Sequence, residues 1–502
     1  MMKKNKVVSF LIIDVFLSVL SGWALMSCSL EETPASFTDS NHYYQNAAQC
    51  QTVLNACYIP LKSIYSYTYM LVTEGTSDVL YNNGATLDCQ LDISPSQPRF
   101  GTTMWTQGYK GVMYCNAAIA GIRRANLTDE ERIRLLGEGL IMRAYYYWFL
   151  TCTFGDVPFY TQDVANDEEL LRVAKLGRMP ARETRDSLIH ELQRVVPKMH
   201  QVRSCEEDNN HVGAAMGWMM IAKLAQWNEE WEISRDAISH LEDIYGNLSQ
   251  YPLKDVMFRN KNTKESIFEI QFLYDNTGLK VYTSVASICT PPHGTGYYYD
   301  GVEIPELGQN ATTWSSMRPT LYYVQNLMAP NSGDARLDLN MAWSYNGKNF
   351  ASVSVVPWLG RKFWCPNMQN NNDGNNQKVF RYADALLMQA ENYFRLGDNT
   401  TAIRYLNMTR TRAKIGDYKY RNDESLLEEI QDERGRELLG EFQRKYDLVR
   451  WGIYYERVSD YNNNPSLIRN LRRCHQYYPI PDTEVAKSEG VLDNKAYAAE
   501  GL

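Results

Sequence analysis

The densest group of charged side chains in the sequence lies toward its C-terminal end. It comprises Glu433, Arg434, Arg436 and Glu437, followed by Arg444, Asp447, Arg450 and Trp451. Carboxylates beside guanidinium groups can form an active site. They also form the ion pairs and hydrogen bonds that join helices in a buried core. We favour the second interpretation, and the sequence alone leaves the first one open.

The common catalytic and metal-binding motifs do not occur in this chain. Its seven histidines are scattered, without a His-Glu-x-x-His, Gly-x-Ser-x-Gly, P-loop or Gly-x-Gly-x-x-Gly pattern. None of its ten cysteines belongs to a Cys-x-x-Cys pair, so we predict neither a metal site nor a cofactor. The 59 acidic residues leave a glycosidase carboxylate pair open, because such a pair is defined by its separation in space.

The aromatic content points toward binding of flat, polar ligands. The chain has 35 Tyr and 11 Trp, and both side chains combine a large ring face with a polar group. This combination suits sugars, although a tyrosine packed between helices uses the same properties. The net charge of −8 argues against a nucleic-acid partner, which requires a basic surface.

The N-terminus has the features of a secretory signal. Lys3, Lys4 and Lys6 precede an apolar stretch at 7–20, and Leu-Met-Ser-Cys follows at 25–28. This last segment resembles a bacterial lipobox, in which Cys28 receives lipid after residues 1–27 are removed. A plain membrane anchor is the alternative. Residues 28–41 then form the lipidated start and a linker.

A mainly α-helical scaffold is predicted around one buried helix. Between residues 140 and 154 the only charged side chain is Arg143, so this helix has no polar face and is expected to be buried on all sides. It is shorter than the roughly 20 residues that span a bilayer. Gly155 and Pro158 can end it.

Helical hairpins are expected on either side of this helix. Residues 213–231 and 231–245 form one apparent pair, and residues 380–396 and 399–413 form another. Their length is close to the tetratricopeptide repeat of about 34 residues. The predicted fold is therefore a tetratricopeptide-like helical-repeat scaffold, covering 42–245 and 378–502.

Two stretches interrupt this helical pattern. Residues 74–103 are rich in Gly, Asn, Asp, Ser and Pro, and we predict a long loop there. Residues 246–377 contain many turn residues, with short apolar runs at 267–273 and 353–356 that indicate strands. We expect the second stretch to be a loop-rich insertion.

Five short motifs are spread over nearly the whole chain. They are Cys-Ser-Leu-Glu-Glu-Thr-Pro at 28–34, Arg-Ala-Tyr-Tyr-Tyr…Phe-Gly-Asp-Val-Pro at 143–158, Arg-Tyr-Ala-Asp-Ala-Leu-Leu-Met-Gln-Ala-Glu at 381–391, Glu-Arg-Gly-Arg-Glu-Leu-Leu-Gly-Glu…Asp-Leu-Val-Arg-Trp-Gly at 433–452 and Tyr-Pro-Ile-Pro at 478–481. Each motif is weak alone. In this order they resemble the SusD/RagB family of outer-membrane nutrient-binding lipoproteins.

The resemblance implies a binding protein and no enzymatic activity. Members of this family capture a glycan, or sometimes a peptide, at the cell surface, and act as the lid of a SusC-like TonB-dependent transporter. By resemblance, this chain is anchored in the outer membrane through lipid on Cys28, and Glu31 and Glu32 resemble a surface-export signal. A surface glycoside hydrolase and a purely structural repeat adaptor are the alternatives.

In this family the helices form the scaffold and the transporter contact, and the irregular loops hold the ligand. We therefore place candidate ligand-binding residues by region in the loop at 74–103 and in the insertion at 246–377. They are Asp78, Tyr81, Asn82, Asn83 and Asp88 from the loop, and Tyr297, Tyr298, Tyr299 and Trp314 from the insertion.

Overall fold

The structure is a computed structural model that describes residues 44–274, 280–293, 304–345, 347–349 and 356–502. The predicted signal peptide, Cys28 and its linker lie outside these residues, as do Tyr297, Tyr298 and Tyr299. Residues 45–502 form one compact unit. Among the helices in the described ranges, none is long and apolar enough to cross a membrane.

Between residues 44 and 245 the fold contains nine α-helices. They are α1 Ala47–Ala56, α2 Ile59–Ile64, α3 Tyr67–Thr73, α4 Phe100–Arg124, α5 Asp129–Phe154, α6 Asp167–Ala174, α7 Ala181–Val195, α8 Ala214–Trp227 and α9 Trp231–Tyr245. Helix α5 lies at the centre and packs against α4, α7, α8 and α1. Every residue from 137 to 154 is buried, which confirms the predicted central helix.

The hydroxyl groups of the three consecutive tyrosines in α5 are all paired. Tyr146 donates to the carbonyl oxygen of Cys57 at 2.6 Å, and Tyr147 donates to that of Tyr160 at 2.8 Å. The hydroxyl of Tyr145 pairs with that of Tyr65. Because buried polar groups need partners, these bonds allow α5 to carry three tyrosines inside the core.

The described residues in the middle of the chain contain two short α-helices and most of the strands. The helices are α10 Val285–Cys289 and α11 Leu337–Asn340. The strands of the described chain are β1 Leu80–Asn82, β2 Ser266–Ile270, β3 Leu273–Tyr274, β4 Lys280–Val281, β5 Met317–Pro319, β6 Met341–Ala342, β7 Ser344–Tyr345, β8 Lys348–Asn349, β9 Trp358–Leu359 and β10 Gln377–Arg381. The strand prediction at 267–273 is confirmed by β2, and the one at 353–356 falls mainly outside the described residues.

Among the described residues, the strands pair antiparallel in twos and no sheet has more than two strands. The pairs are β1–β5, β2–β10, β3–β4, β6–β9 and β7–β8. Two of them tie distant parts of the chain together. Strands β2 and β10 connect the start of the insertion to the C-terminal helices. Strands β1 and β5 connect the loop at 74–103 to the insertion.

The C-terminal part is again helical. Its helices are α12 Tyr382–Arg395, α13 Asn399–Arg412, α14 Asp423–Glu437, α15 Arg444–Arg450, α16 Tyr454–Tyr461, α17 Pro465–Asn470, α18 Asp482–Lys487 and α19 Lys495–Ala498. The hairpins α8–α9 and α12–α13 confirm the two predicted repeats, and α9 packs against α12. The predicted start of α12 at residue 380 was wrong, because Phe380 and Arg381 belong to β10.

The charged cluster joins these elements by buried ion pairs, which confirms the structural interpretation. Arg381 donates to Glu437 at 2.7 Å and to Glu265 at 2.9 Å. Arg434 donates to Asp447 at 2.8 Å. All five side chains are buried. Removing one partner of such a pair leaves an uncompensated charge in the core, so the cluster fixes how α14, β10 and β2 meet.

Candidate functional site

The pairing of β1 with β5 brings the two irregular stretches together at one surface. Tyr81 lies opposite Arg318, and Asn82 lies opposite Met317. Beyond the strand ends, the Asn83 N–H donates to the Ser316 carbonyl oxygen at 2.7 Å. Residues more than 230 positions apart in the chain therefore share one surface. We call the surface formed by Tyr67, Tyr81, Asn83 and Trp314 the β1–β5 face.

Trp314 is the most exposed aromatic side chain of this face, at 47% exposure. Its ring meets that of the half-buried Tyr67 edge to face, with centroids 5.2 Å apart and planes at 69°. Such edge-to-face pairs are favourable, because the positive edge of one ring meets the negative face of the other. Tyr67 thus supports the indole, while part of the indole stays open to solvent.

The backbone around Trp314 is fixed from several directions. The Trp314 N–H donates to the Ser287 carbonyl oxygen at 2.9 Å, and the Ser315 N–H donates to the same oxygen at 3.0 Å. The Thr313 N–H donates to the His293 carbonyl oxygen at 2.8 Å. Ser315 has a φ of 52°, a left-handed conformation that turns the chain into β5. This part of the surface is therefore preformed.

Asp78 does not lie on the β1–β5 face, which corrects its prediction as a ligand contact. It is fully buried and accepts hydrogen bonds from Arg444 at 2.7 and 2.8 Å and from Arg457 at 2.9 Å. Burial by itself would raise the pKa of Asp78, but the two guanidinium groups outweigh it and hold the pKa below its ordinary value. Asp78 joins the loop to α15 and α16.

Asn82 and Asp88 are also buried, so they too hold the loop in shape and do not offer their side chains to a ligand. The Asn82 Oδ1 accepts from the Gly84 N–H at 2.7 Å. The Asp88 Oδ1 accepts from the Phe100 N–H at 3.0 Å, at the start of α4, and burial raises the pKa of this carboxyl group. The loop predicted at 74–103 is therefore largely ordered, and its last residues are already helical.

Of the six predicted residues that the structure describes, three keep accessible side chains. Asn83 is exposed, Tyr81 is half-buried, and Trp314 is nearly half exposed. Tyr67 was missed by the sequence analysis. It lies in the first turn of α3, just before the loop, and the spacing Tyr65-x-Tyr67-x-Tyr69 could have drawn attention to it. Tyr65 and Tyr69 are buried in the core, whereas Tyr67 is half-buried.

The β1–β5 face offers ring faces, a phenol and an amide, which can stack on a sugar ring and hydrogen-bond its hydroxyls. The buried carboxylates of Asp78 and Asp88, in the loop that contains β1, accept hydrogen bonds from protein donors. In the part of the chain that the structure describes, no three His, Cys, Asp or Glu side chains are arranged to hold a metal ion.

The structure also has a cavity on the helical scaffold. Its volume is about 970 Å³, and α13 and the segments at 247–254 and 335–339 line it. Its lining combines Leu253, Leu339 and Met408 with charged side chains such as Arg404 and Asp417, and its aromatic residue, Tyr251, is buried. Within the described residues the cavity offers no exposed ring face on which a sugar ring could stack, so cavity size alone does not identify it as a glycan site.

Two family models match the sequence. The model described as "SusD family" matches residues 323–497, and the one described as "Starch-binding associating with outer membrane" matches residues 30–197. SusD-like protein P25 of Formosa agariphila is 25% identical, with 96% of this chain and 98% of the relative covered. Starch-binding protein SusD of Bacteroides thetaiotaomicron is 22% identical, with 74% of each chain covered.

Solved structures share the same fold. A SusD superfamily protein from Bacteroides vulgatus superposes with a TM-score of 0.72 at 20% identity, covering 90% of this chain and 99% of the other. Surface glycan-binding protein A from Bacteroides thetaiotaomicron, in complex with laminarihexaose, superposes with a TM-score of 0.70 at 19% identity, covering 89% and 99%. The chain belongs to the SusD/RagB family and has its tetratricopeptide-like helical fold.

Proposed function

We propose that this protein binds an oligosaccharide at the cell surface through the β1–β5 face and delivers it to a TonB-dependent transporter, which it covers as a lid. The observation that carries the glycan-binding part is the half-exposed indole of Trp314 resting on Tyr67. A sugar ring can stack on the open part of the indole, while Tyr81 and Asn83 supply hydrogen bonds to its hydroxyls.

The relatives support a glycan as the ligand class. One is described as starch-binding, and structural neighbours are described as surface glycan-binding and laminarin-binding proteins. Their identities to this chain are 22% or lower, so the particular sugar does not carry over from them. A peptide ligand is the alternative within the family, and binding without turnover is proposed in either case.

The test is a binding measurement on the mature protein. We would screen an array that contains laminarihexaose, starch oligosaccharides and peptides, and then titrate the best ligand calorimetrically. Trp314→Ala should weaken binding by about thirtyfold, equivalent to on the order of 2 kcal/mol, because it removes the exposed ring at the centre of the site. Tyr420→Ala is the matched control, since Tyr420 is 50% exposed between α13 and α14.

The outcomes separate the alternatives. Equal loss of affinity in both variants, or none in Trp314→Ala, would contradict the β1–β5 face as the site. Binding of peptides alone would replace the glycan by a peptide. Sugar release that increases with time would favour a surface hydrolase.

Copurification of a TonB-dependent transporter with the tagged protein would support the lid role, and repeated failure to copurify would argue against it.

The anchoring part of the proposal rests on the N-terminal sequence. We propose that Cys28 carries lipid that holds the protein in the outer membrane, with residues 1–27 removed and residues 28–41 serving as a linker. Under this division the helices at 42–245 and 378–502 meet the transporter, and the loop at 74–103 and the insertion at 246–377 hold the ligand.

A further inference from the structure

The position of Trp314 depends on α10. Its N–H donates to both the carbonyl oxygen and the Oγ of Ser287, at 2.9 and 3.2 Å. Ser287 lies in the middle of α10 and is fully buried. A displacement of α10 would therefore move the Trp314 backbone and separate its ring from Tyr67.

Helix α10 has only five residues, too few for its own hydrogen bonds to hold it in place. It is held from outside by Asp373. The Oδ2 of Asp373 accepts from the Ala286 N–H at 2.9 Å, in the first turn of α10. The main chain of Asp373 also exchanges hydrogen bonds with Thr283, at 3.0 and 2.9 Å, just before the helix begins. The other carboxylate oxygen, Oδ1, accepts from the Asn375 N–H at 3.1 Å.

We propose that Asp373 is a positioning residue of the glycan site: its ionised carboxylate fixes α10, and α10 holds Trp314 against Tyr67. The proposal rests on the proposed function, because it takes the Tyr67–Trp314 pair as the ligand platform. Asp373 itself is 1% exposed and lies behind α10, so it acts on the ligand only through Trp314.

The surroundings of Asp373 make its ionisation sensitive to pH near neutrality. Within the described residues it forms no salt bridge, and Lys261 is the cation whose charge acts on it, with its Nζ hydrogen-bonded to the Phe272 carbonyl oxygen. Cys289 of α10 and Cys365 face the same carboxyl group, and burial raises the pKa of both thiols. Burial raises the pKa of Asp373 to about 7, although the two N–H donors partly oppose this.

Protonation changes what the carboxyl group can accept. The ionised group accepts both N–H bonds, one on each oxygen. The protonated group turns one oxygen into a hydroxyl, which donates its own hydrogen and accepts poorly. Either the Ala286 or the Asn375 bond must then weaken. We therefore expect the hold on α10 to loosen as the pH falls below about 7.

Hydrogen exchange of the mature protein without ligand tests this directly. In Asp373→Asn, peptides covering 285–289 and 312–316 should exchange about tenfold faster, while α5 is unchanged, because only local opening is affected. Asp338→Asn, at an exposed aspartate of the same insertion, should exchange like the wild type. After correction for intrinsic exchange rates, the wild type should show the same local acceleration between pH 8 and 6, and Asp373→Asn should show none.

Unchanged exchange at 312–316 in a folded Asp373→Asn protein would overturn the proposal, as would acceleration spread over the whole chain. If this variant fails to fold, the wild-type pH comparison decides the question. This measurement requires no sugar, so it separates failure of the positioning role from failure of glycan binding. Where a ligand is found, Asp373→Asn should also lower its affinity and flatten the dependence of affinity on pH.

Discussion

At the scale of single residues, two buried charged side chains of this protein are compensated to different extents. Asp78 is neutralised by two arginines, so its charge is compensated inside the core. Lys445 is equally buried, but its Nζ has no hydrogen-bond or ion-pair partner among the described residues. It lies over the rings of Tyr454 and Tyr478, 5.1 Å from each centroid. Ring faces compensate a buried ammonium only in part.

Lys445→Met should stabilise the protein. Burial lowers the pKa of Lys445 to about 7, so between the unfolded value of 10.5 and pH 7 the unfolded chain binds more protons than the folded one. The contribution of Lys445 to wild-type stability therefore falls as the pH is lowered from about 10 to 7 and levels off below that. The advantage of the methionine variant should grow over this window to a few kcal/mol near pH 7. Urea unfolding at pH 6 to 9 measures it.

Lys62→Met provides the control for this comparison, because Lys62 is exposed on α2. Its stability should follow the wild type at every pH. If the free energies of unfolding of wild type and Lys445→Met changed with pH in the same way, the Lys445 ammonium would be solvated in the folded state, contrary to the structure.

At the scale of elements, α4 and α5 approach each other closely in the core. Gly108 lies against Leu150, and Gly111 lies against Tyr146. A β-carbon on Gly111 would lie 2.2 Å from the Tyr146 ring. Helical glycine costs about 1 kcal/mol relative to alanine, so its presence here indicates that packing outweighs helix propensity.

Gly111→Ala should destabilise the protein by roughly 1–3 kcal/mol, despite the better helix propensity of alanine. The added methyl group must displace the Tyr146 ring, and this would break the Tyr146 hydrogen bond to the Cys57 carbonyl oxygen. Chemical denaturation of both proteins measures the difference. Gly416→Ala is the control, since a β-carbon there meets nothing within 4 Å. Equal stability of Gly111→Ala and wild type would show that α4 and α5 can separate without cost.

At the scale of the whole molecule, a rigid helical scaffold presents a small irregular face. Helices α1 to α9 and α12 to α19 form the scaffold before and after the insertion, and buried ion pairs and the β2–β10 pairing hold the described part of the insertion against it. Such an arrangement suits a protein that must dock on a partner with one surface while a ligand occupies another. The proposed lipid anchor would keep it close to that partner.

Cys28→Ala should release the protein from the membrane fraction of cells that express it, because lipidation requires the cysteine thiol. Fractionation followed by immunoblotting measures this, and protease treatment of intact cells tests the surface location of the wild type. Cys205→Ala keeps the proposed lipidation site and should remain in the membrane fraction. A Cys28→Ala protein that stays membrane-bound would contradict the lipid anchor.

The sequence by itself determined the helical scaffold, the buried central helix and the family. Two of these features can be recognised from neighbouring residues alone. One is the stretch in which Arg143 is the single charged residue, and the other is the repeated apolar spacing of α8–α9 and α12–α13. The tertiary structure alone decided which residues reach the surface. Asp78 and Asn83 lie five positions apart in one polar loop, yet one is buried by Arg444 and the other is exposed. That difference comes from α15, α16 and β5, which are distant in the chain, and a polar composition cannot encode it.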